Sequence, residues 1–137
     1  YQQTLRDFLS SIALAHQHTI WLIDDTRPTS AIAADPSLER VRNARMIQGN
    51  SEDQSWMGDV FKVIAFIDNF MPQYTCISTE GHGQTVVLPK QRKIHKPRFE
   101  SIEAISNLSY LDRILMSDDL FKPISFAIIL AAISKLF

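Results

Sequence analysis

Four large apolar side chains in a row, Ile20-Trp21-Leu22-Ile23, stop at two adjacent carboxylates, Asp24 and Asp25. The run does not alternate, which suits a strand covered on both faces better than an open antiparallel one. Just upstream, Leu5, Phe8, Leu9, Ile12 and Ala13 recur at helical spacing, with Arg6, Asp7, Ser10 and Ser11 on the opposite side. An amphipathic helix that feeds a doubly covered strand is the signature of an α/β fold. Acids at the end of such a strand can present oxygens to a metal or substrate, or they can simply begin a turn.

Beyond the acids the pattern breaks up. Pro28, Pro36, Gly49 and many polar residues predict a long loop over 26–54, with room for a short helix at 37–46. Trp56, Val60, Val63, Ile64 and Ile67 then predict a second amphipathic helix, with Ser55 or a nearby polar residue as its cap. The β-rich runs "QYTCIST" and "QTVVLPK" flank "EGHG" and read as an antiparallel hairpin. Residues 90–98, with Lys90, Arg92, Lys93, Lys96 and Arg98, are expected to be a solvated linker, since no aromatics interleave the charges as nucleic-acid binding would favour. Two more helices are expected over 99–116 and 119–136. The apolar stretch 124–133 is about half of a membrane span and reads as a core or interface helix.

With 137 residues, 45% hydrophobic and 21% charged, the chain can bury one substantial core. A net charge of −1 gives no global attraction to nucleic acid or anionic lipid, so neither partner is expected. The single cysteine, Cys76, rules out an internal disulfide and a cysteine-based metal cluster, and favours a cytoplasmic setting. The polar, helix-like opening "YQQTLRDFL" is unlike a signal peptide, and without an initiator methionine the chain reads as part of something longer.

Taken in order, "YQQTLRDF", "WLIDDT", "SWMGDVFK", "IDNFMPQY" and "GQTVV" resemble a bacterial group of class I S-adenosylmethionine-dependent methyltransferase-like domains, over residues 1–90 and more weakly beyond. The resemblance implies a Rossmann-like α/β sheet whose carboxyl-terminal half runs helix, strand, long loop, helix and β-hairpin, followed by two C-terminal helices. Residues 1–90 would be that partial domain, and 91–137 a basic linker and helices packed on it. In such a sheet the last strand returns antiparallel and inserts beside the fifth, which the 20–23 run would represent. The metal-dependent O-methyltransferases of the superfamily end that strand in acids that ligate a divalent cation, so Asp24 and Asp25 become candidate ligands for Mg²⁺ or a similar ion. Thr26, Trp56 and Asp59 are the substrate-side candidates, around a small-molecule or glycan-like acceptor.

Two departures accompany the match. The glycine-rich loop that binds the cofactor in the family is not in this sequence, nor is the fourth strand with its further acid, which relatives carry just before the tyrosine that Tyr1 resembles. The chain is therefore expected to be inactive alone, and to associate either with a missing amino-terminal half or with itself through the uncovered strand. A hydroxylase-like metal enzyme on the same fold and a non-catalytic interaction module stay open beside methyl transfer. Each candidate also has a structural reading: Asp24-Asp25-Thr26 as a turn, Trp56 as core, Asp59 in a first helical turn, His82 as an exposed turn residue, and Cys76 as a small strand side chain.

Overall fold

The computed structural model describes residues 1–135 of the chain. In chain order the elements are helix α1 (Gln2–Ile12), strand β1 (Trp21–Ile23), helices α2 (Leu38–Ile47) and α3 (Phe61–Phe70), strands β2 (Thr75–Ser78) and β3 (Thr85–Leu88), and helices α4 (Ile102–Ser106), α5 (Tyr110–Leu115) and α6 (Phe126–Ile133). The class is α/β, with helices packed around a small three-stranded sheet. None of these helices is long and apolar enough to cross a membrane.

The hairpin forms where "EGHG" lies, but its two strands are not the outer pair. The sheet order is β1-β3-β2, and both pairings are antiparallel. Trp21 stands opposite Val87 and Ile23 opposite Thr85, while Cys76 takes the other side of Val87. Alternation along the strands then splits their side chains between two layers. Trp21, Ile23 and Val87 join the main core with Phe8, Phe61, Ile64, Ile67, Ile105 and Phe121, and Val86 and Leu88 point the other way, onto Ile129 of α6. Residues on both sides of position 90 share the main core.

β1 is not covered on both faces as its composition suggests. Leu22 is 64% exposed, because α6 packs on the β2–β3 hairpin and stops short of β1. The opposite edge of β1 has no strand beside it among the described residues. α1 holds the covered face through two T-shaped ring contacts of Phe8, with Trp21 at 5.4 Å and Tyr74 at 6.0 Å between centroids, and Trp21 and Tyr74 meet edge to face at 5.3 Å. The Trp21 indole N–H donates to Ser11 Oγ at 2.7 Å, so the polar end of this ring is satisfied as well.

α3 is buried almost all round rather than amphipathic, with Phe61, Val63, Ile64, Ala65 and Ile67 inside. It also starts later than its periodicity predicts. Gly58 sits at φ +60, which interrupts the helical path, so Trp56 precedes the helix and Val60 takes the cap position without a side-chain hydrogen bond. Ser55 is occupied elsewhere, accepting from Arg45 Nη2 at 2.9 Å.

The segment over 90–98 is largely exposed, as a solvated linker would be, but it is anchored at two arginines. Arg92 pairs with Asp68, Arg98 pairs with both Asp68 and Asp119, and buried Asn69 accepts the Arg98 and Phe99 N–H groups at 2.6 and 2.9 Å while donating to Phe99 O at 2.9 Å. The expected helix over 99–116 is two short ones, because Ser109 and Asp112 form a capping box that starts α5 afresh. Pro123 then interrupts the stretch expected over 119–136, leaving α6 as an eight-residue helix, and the last residue of that expectation lies outside the described residues.

Asn69→Ala leaves two backbone N–H groups and one carbonyl without their partner, so unfolding free energy should fall by about 1–3 kcal/mol. Amide hydrogen exchange checks the cause: Arg98 and Phe99 should lose protection while the α3 core amides lose only the global amount.

Candidate functional site

The end of β1 is fastened to the hairpin turn, and that join aims the acids. Thr26 is fully buried; its N–H and its hydroxyl both donate to Gly83 O, at 2.8 and 2.6 Å, and its hydroxyl lies 2.7 Å from that of Thr85. A Cβ on Gly83 would come within 3.3 Å of Arg27 backbone, and its φ of +85 is disfavoured for other residues, so this close approach depends on glycine. The structure therefore places Thr26 in the interior as a strut and not against an acceptor.

One residue earlier the chain turns through Asp25, which adopts φ +60. Asp is among the few non-glycine residues that tolerate this left-handed region. The turn sends Asp24 into solvent, where its Oδ1 accepts the Asp25 N–H at 3.0 Å, and sends Asp25 against a hollow of about 280 Å³. Trp56, Gly58, Asp59, Pro36 and Tyr1 complete its main walls. Two further open hollows, of about 550 and 590 Å³, share Tyr1 with it and continue along α1.

The long loop builds the far wall of this hollow. Met57 and Gly58 N–H groups both donate to Ala33 O, at 3.0 and 2.9 Å, and the Trp56 indole donates to Asp35 O at 2.8 Å. Arg45, buried on α2, gathers the returning strand of the loop by donating to Asp53 O at 2.7 Å and to Ser55. Trp56 is thus pinned by its polar end and leaves its ring 41% exposed.

The two carboxylates of the hollow differ in electrostatics. Asp59 Oδ1 accepts from the Tyr1 amino group at 2.9 Å, and Oδ2 lies 3.1 Å from Lys62 Nζ. Burial raises its pKa, but the hydrogen bonds and charges of the amino group and Lys62 outweigh burial and hold it below the usual carboxylate range. Asp25 has no such partner, and burial together with the charge of Asp24 pushes it up. One acid is a fixed anion and the other a readier proton acceptor, the division of labour that acid–base sites use.

Asp25, Trp56 and Asp59 meet in one hollow, while Thr26 and Asp24 do not reach it. The pair of acids at the end of β1 does not fit a metal centre by itself. Asp24 is turned away and engaged with backbone, and no group of three His, Cys, Asp or Glu among the described residues could hold a metal ion. His82 is exposed in the hairpin turn, and burial together with Asp68 pushes the Cys76 thiol up to about 12, which keeps it protonated and unreactive at neutral pH. Sequence reasoning gave no role to the latch around Arg45 or to the Ala33–Gly58 contacts, and no periodicity links residues so far apart in an irregular segment.

Compared with protein-family models, curated proteins and solved structures, the chain matches none.

The two acids should have opposite effects on stability. Asp59, whose folded pKa is lowered, contributes stability above the unfolded carboxylate value and loses it as the pH falls through the folded value. Asp59→Asn should therefore cost about 1–3 kcal/mol near pH 7 and progressively less below about pH 4. Asp25, whose folded pKa is raised, opposes folding once ionised, so Asp25→Asn should be neutral or stabilising near pH 7, and Asn also tolerates the left-handed turn. Urea unfolding of both variants across the pH range measures each effect.

Proposed function

We propose that this chain forms the acceptor side of an S-adenosylmethionine-dependent methyltransferase that acts on an oxygen or nitrogen of a small-molecule or glycan-like acceptor. The observation that carries the reading is the sheet order, with antiparallel β3 lying between β1 and β2 and acids at the carboxyl end of β1. That is the arrangement with which class I methyltransferase sheets end, and ligands in open α/β sheets gather at strand carboxyl ends. The hollow that Asp25 shares with Trp56 and Asp59 adds a place for the acceptor beside this analogy of fold.

In this reading the bound cofactor supplies an electrophilic methyl group. The residues described here do not contain its glycine-rich loop, so no cofactor contact is assigned to them. Asp25, with its raised pKa, accepts the proton that the acceptor oxygen or nitrogen gives up. Trp56 offers an aromatic wall for a ring or sugar face, and Asp59 pairs with Lys62 at the rim. A divalent cation would need a ligand from outside the described residues.

Calorimetric titration with S-adenosylmethionine tests the reading on two polypeptides: the 137-residue chain, and one extended upstream of Tyr1 in its gene. Micromolar affinity is expected only in the extended form, and there Asp25→Asn should slow methyl transfer by about 10²-fold or more while cofactor affinity holds. Absence of binding by both forms would remove the methyltransferase reading, and tight binding by the 137 residues alone would remove the expectation that they lack the cofactor site.

A second reading, association of two copies, is favoured by one observation. β1 pairs on one side only, and Leu22 stands exposed on it. Unpaired backbone beside an exposed apolar side chain invites another strand, and pairing of two β1 edges would be isologous. Multi-angle light scattering should show a dimer that dissociates on dilution, and Leu22→Lys should shift it toward monomer. A wild-type monomer at every concentration would eliminate this association.

A further inference from the structure

The geometry points to a small-oxyanion site between Arg27, on the segment leaving β1, and Arg113 of α5, which would take a phosphate or carboxylate group. Neither arginine lines the hollow around Asp25, so the site stands apart from the methyl-transfer reading.

Both cations lack partners for buried donors. Arg113 is only 7% exposed, and its guanidinium carbon lies 5.4 Å from the centroid of the Phe121 ring. Its buried Nε has no hydrogen-bond partner. Arg27 is half-buried; one Nη1 donates to Thr79 O at 2.8 Å, and its Nε is likewise buried without a partner. The other arginines drawn into the structure, Arg45, Arg92 and Arg98, each pair with an aspartate. No ion pair among the described residues includes Arg27 or Arg113.

The two side chains belong to one locality. The Tyr110 hydroxyl donates to Thr29 O at 3.2 Å, which fastens α5 to the chain two residues beyond Arg27, and Arg113 lies one turn from Tyr110 on the same helical face. Burial, and then the charge of Arg27, lower the pKa of Arg113. A guanidinium stays charged at any working pH, and a buried charge without a counter-charge is costly. Cation–π contact with Phe121 returns part of that cost but uses the ring face and leaves the N–H fork unused. Two such forks match the paired oxygens of a phosphate or carboxylate, which would satisfy the orphaned donors and cancel the like-charge repulsion.

Isothermal titration of the 137-residue chain with inorganic phosphate, and separately with succinate, tests this, with ionic strength held constant by sodium chloride. Saturable binding is expected for at least one anion, with Kd about 1 mM or tighter. The preferred probe assigns the ligand as phosphoryl or carboxylate. Arg113→Gln and Arg27→Gln should each weaken binding about tenfold or more, whereas Arg40→Gln, at an exposed pair with Asp35, should leave it unchanged. If Arg113→Gln does not fold, the less buried Arg27→Gln decides. Absence of saturable heat with both anions, or unchanged affinity in Arg27→Gln, overturns the site.

Discussion

The join between Thr26 and Gly83 organises most of what is distinctive here. A strand of three residues has little to hold its end in place, and β1 touches the sheet on one side only. Two hydrogen bonds to a single carbonyl, from the backbone N–H and the hydroxyl of a residue with no exposure, fix where the chain goes next. On one side of that point Asp25 turns through the left-handed region into the hollow, and on the other Arg27 reaches the hairpin at Thr79. Both candidate sites therefore hang on the same strut.

Around it the protein spends its polar groups on holding irregular chain. Arg45, Asn69 and Lys62 are buried and each binds backbone carbonyls of distant segments, at Asp53, Phe99 and Ser106. Burying such groups is tolerable because each is satisfied. The result is a segment between β1 and α3 that is long yet positioned, with Arg45 gathering Asp53 and Ser55 and the adjoining Trp56 tied to Asp35. Long ordered loops of this kind more often carry function than connect elements. Arg27 and Arg113 break the pattern, since their buried Nε atoms have no protein partner and, unlike Arg92, whose Nε is also unpartnered, neither pairs with an aspartate.

The helices show where local pattern suffices. α1 follows its apolar spacing because Phe8 and its neighbours need only one core face, and the hairpin follows its glycine-containing turn. α3 departs from amphipathic expectation because it is enclosed between sheet and α4, so residues on every side of it are buried, Lys62 and Asn69 among them. The apolar stretch near the carboxyl end is half explained in the same way: Ile129 and Ile133 meet the hairpin, while Phe126, Ile128 and Leu130 stay exposed.

The sequence by itself determined the α/β class, the hairpin, and the acids at the end of β1, because these depend on spacing and turn chemistry within a few residues. Asp25, Trp56 and Asp59 were legible as candidates by type, but not as neighbours, and Tyr1 was legible only through resemblance. Tertiary structure alone decided that Asp24 and Asp25 part company, that Thr26 goes inside, that Arg98 is tied to Asp68, and that Arg27 and Arg113 have no ion-pair partner among the described residues. Those outcomes turn on a backbone angle at one residue and on contacts across 30 to 57 positions, and no local pattern encodes distances of that kind.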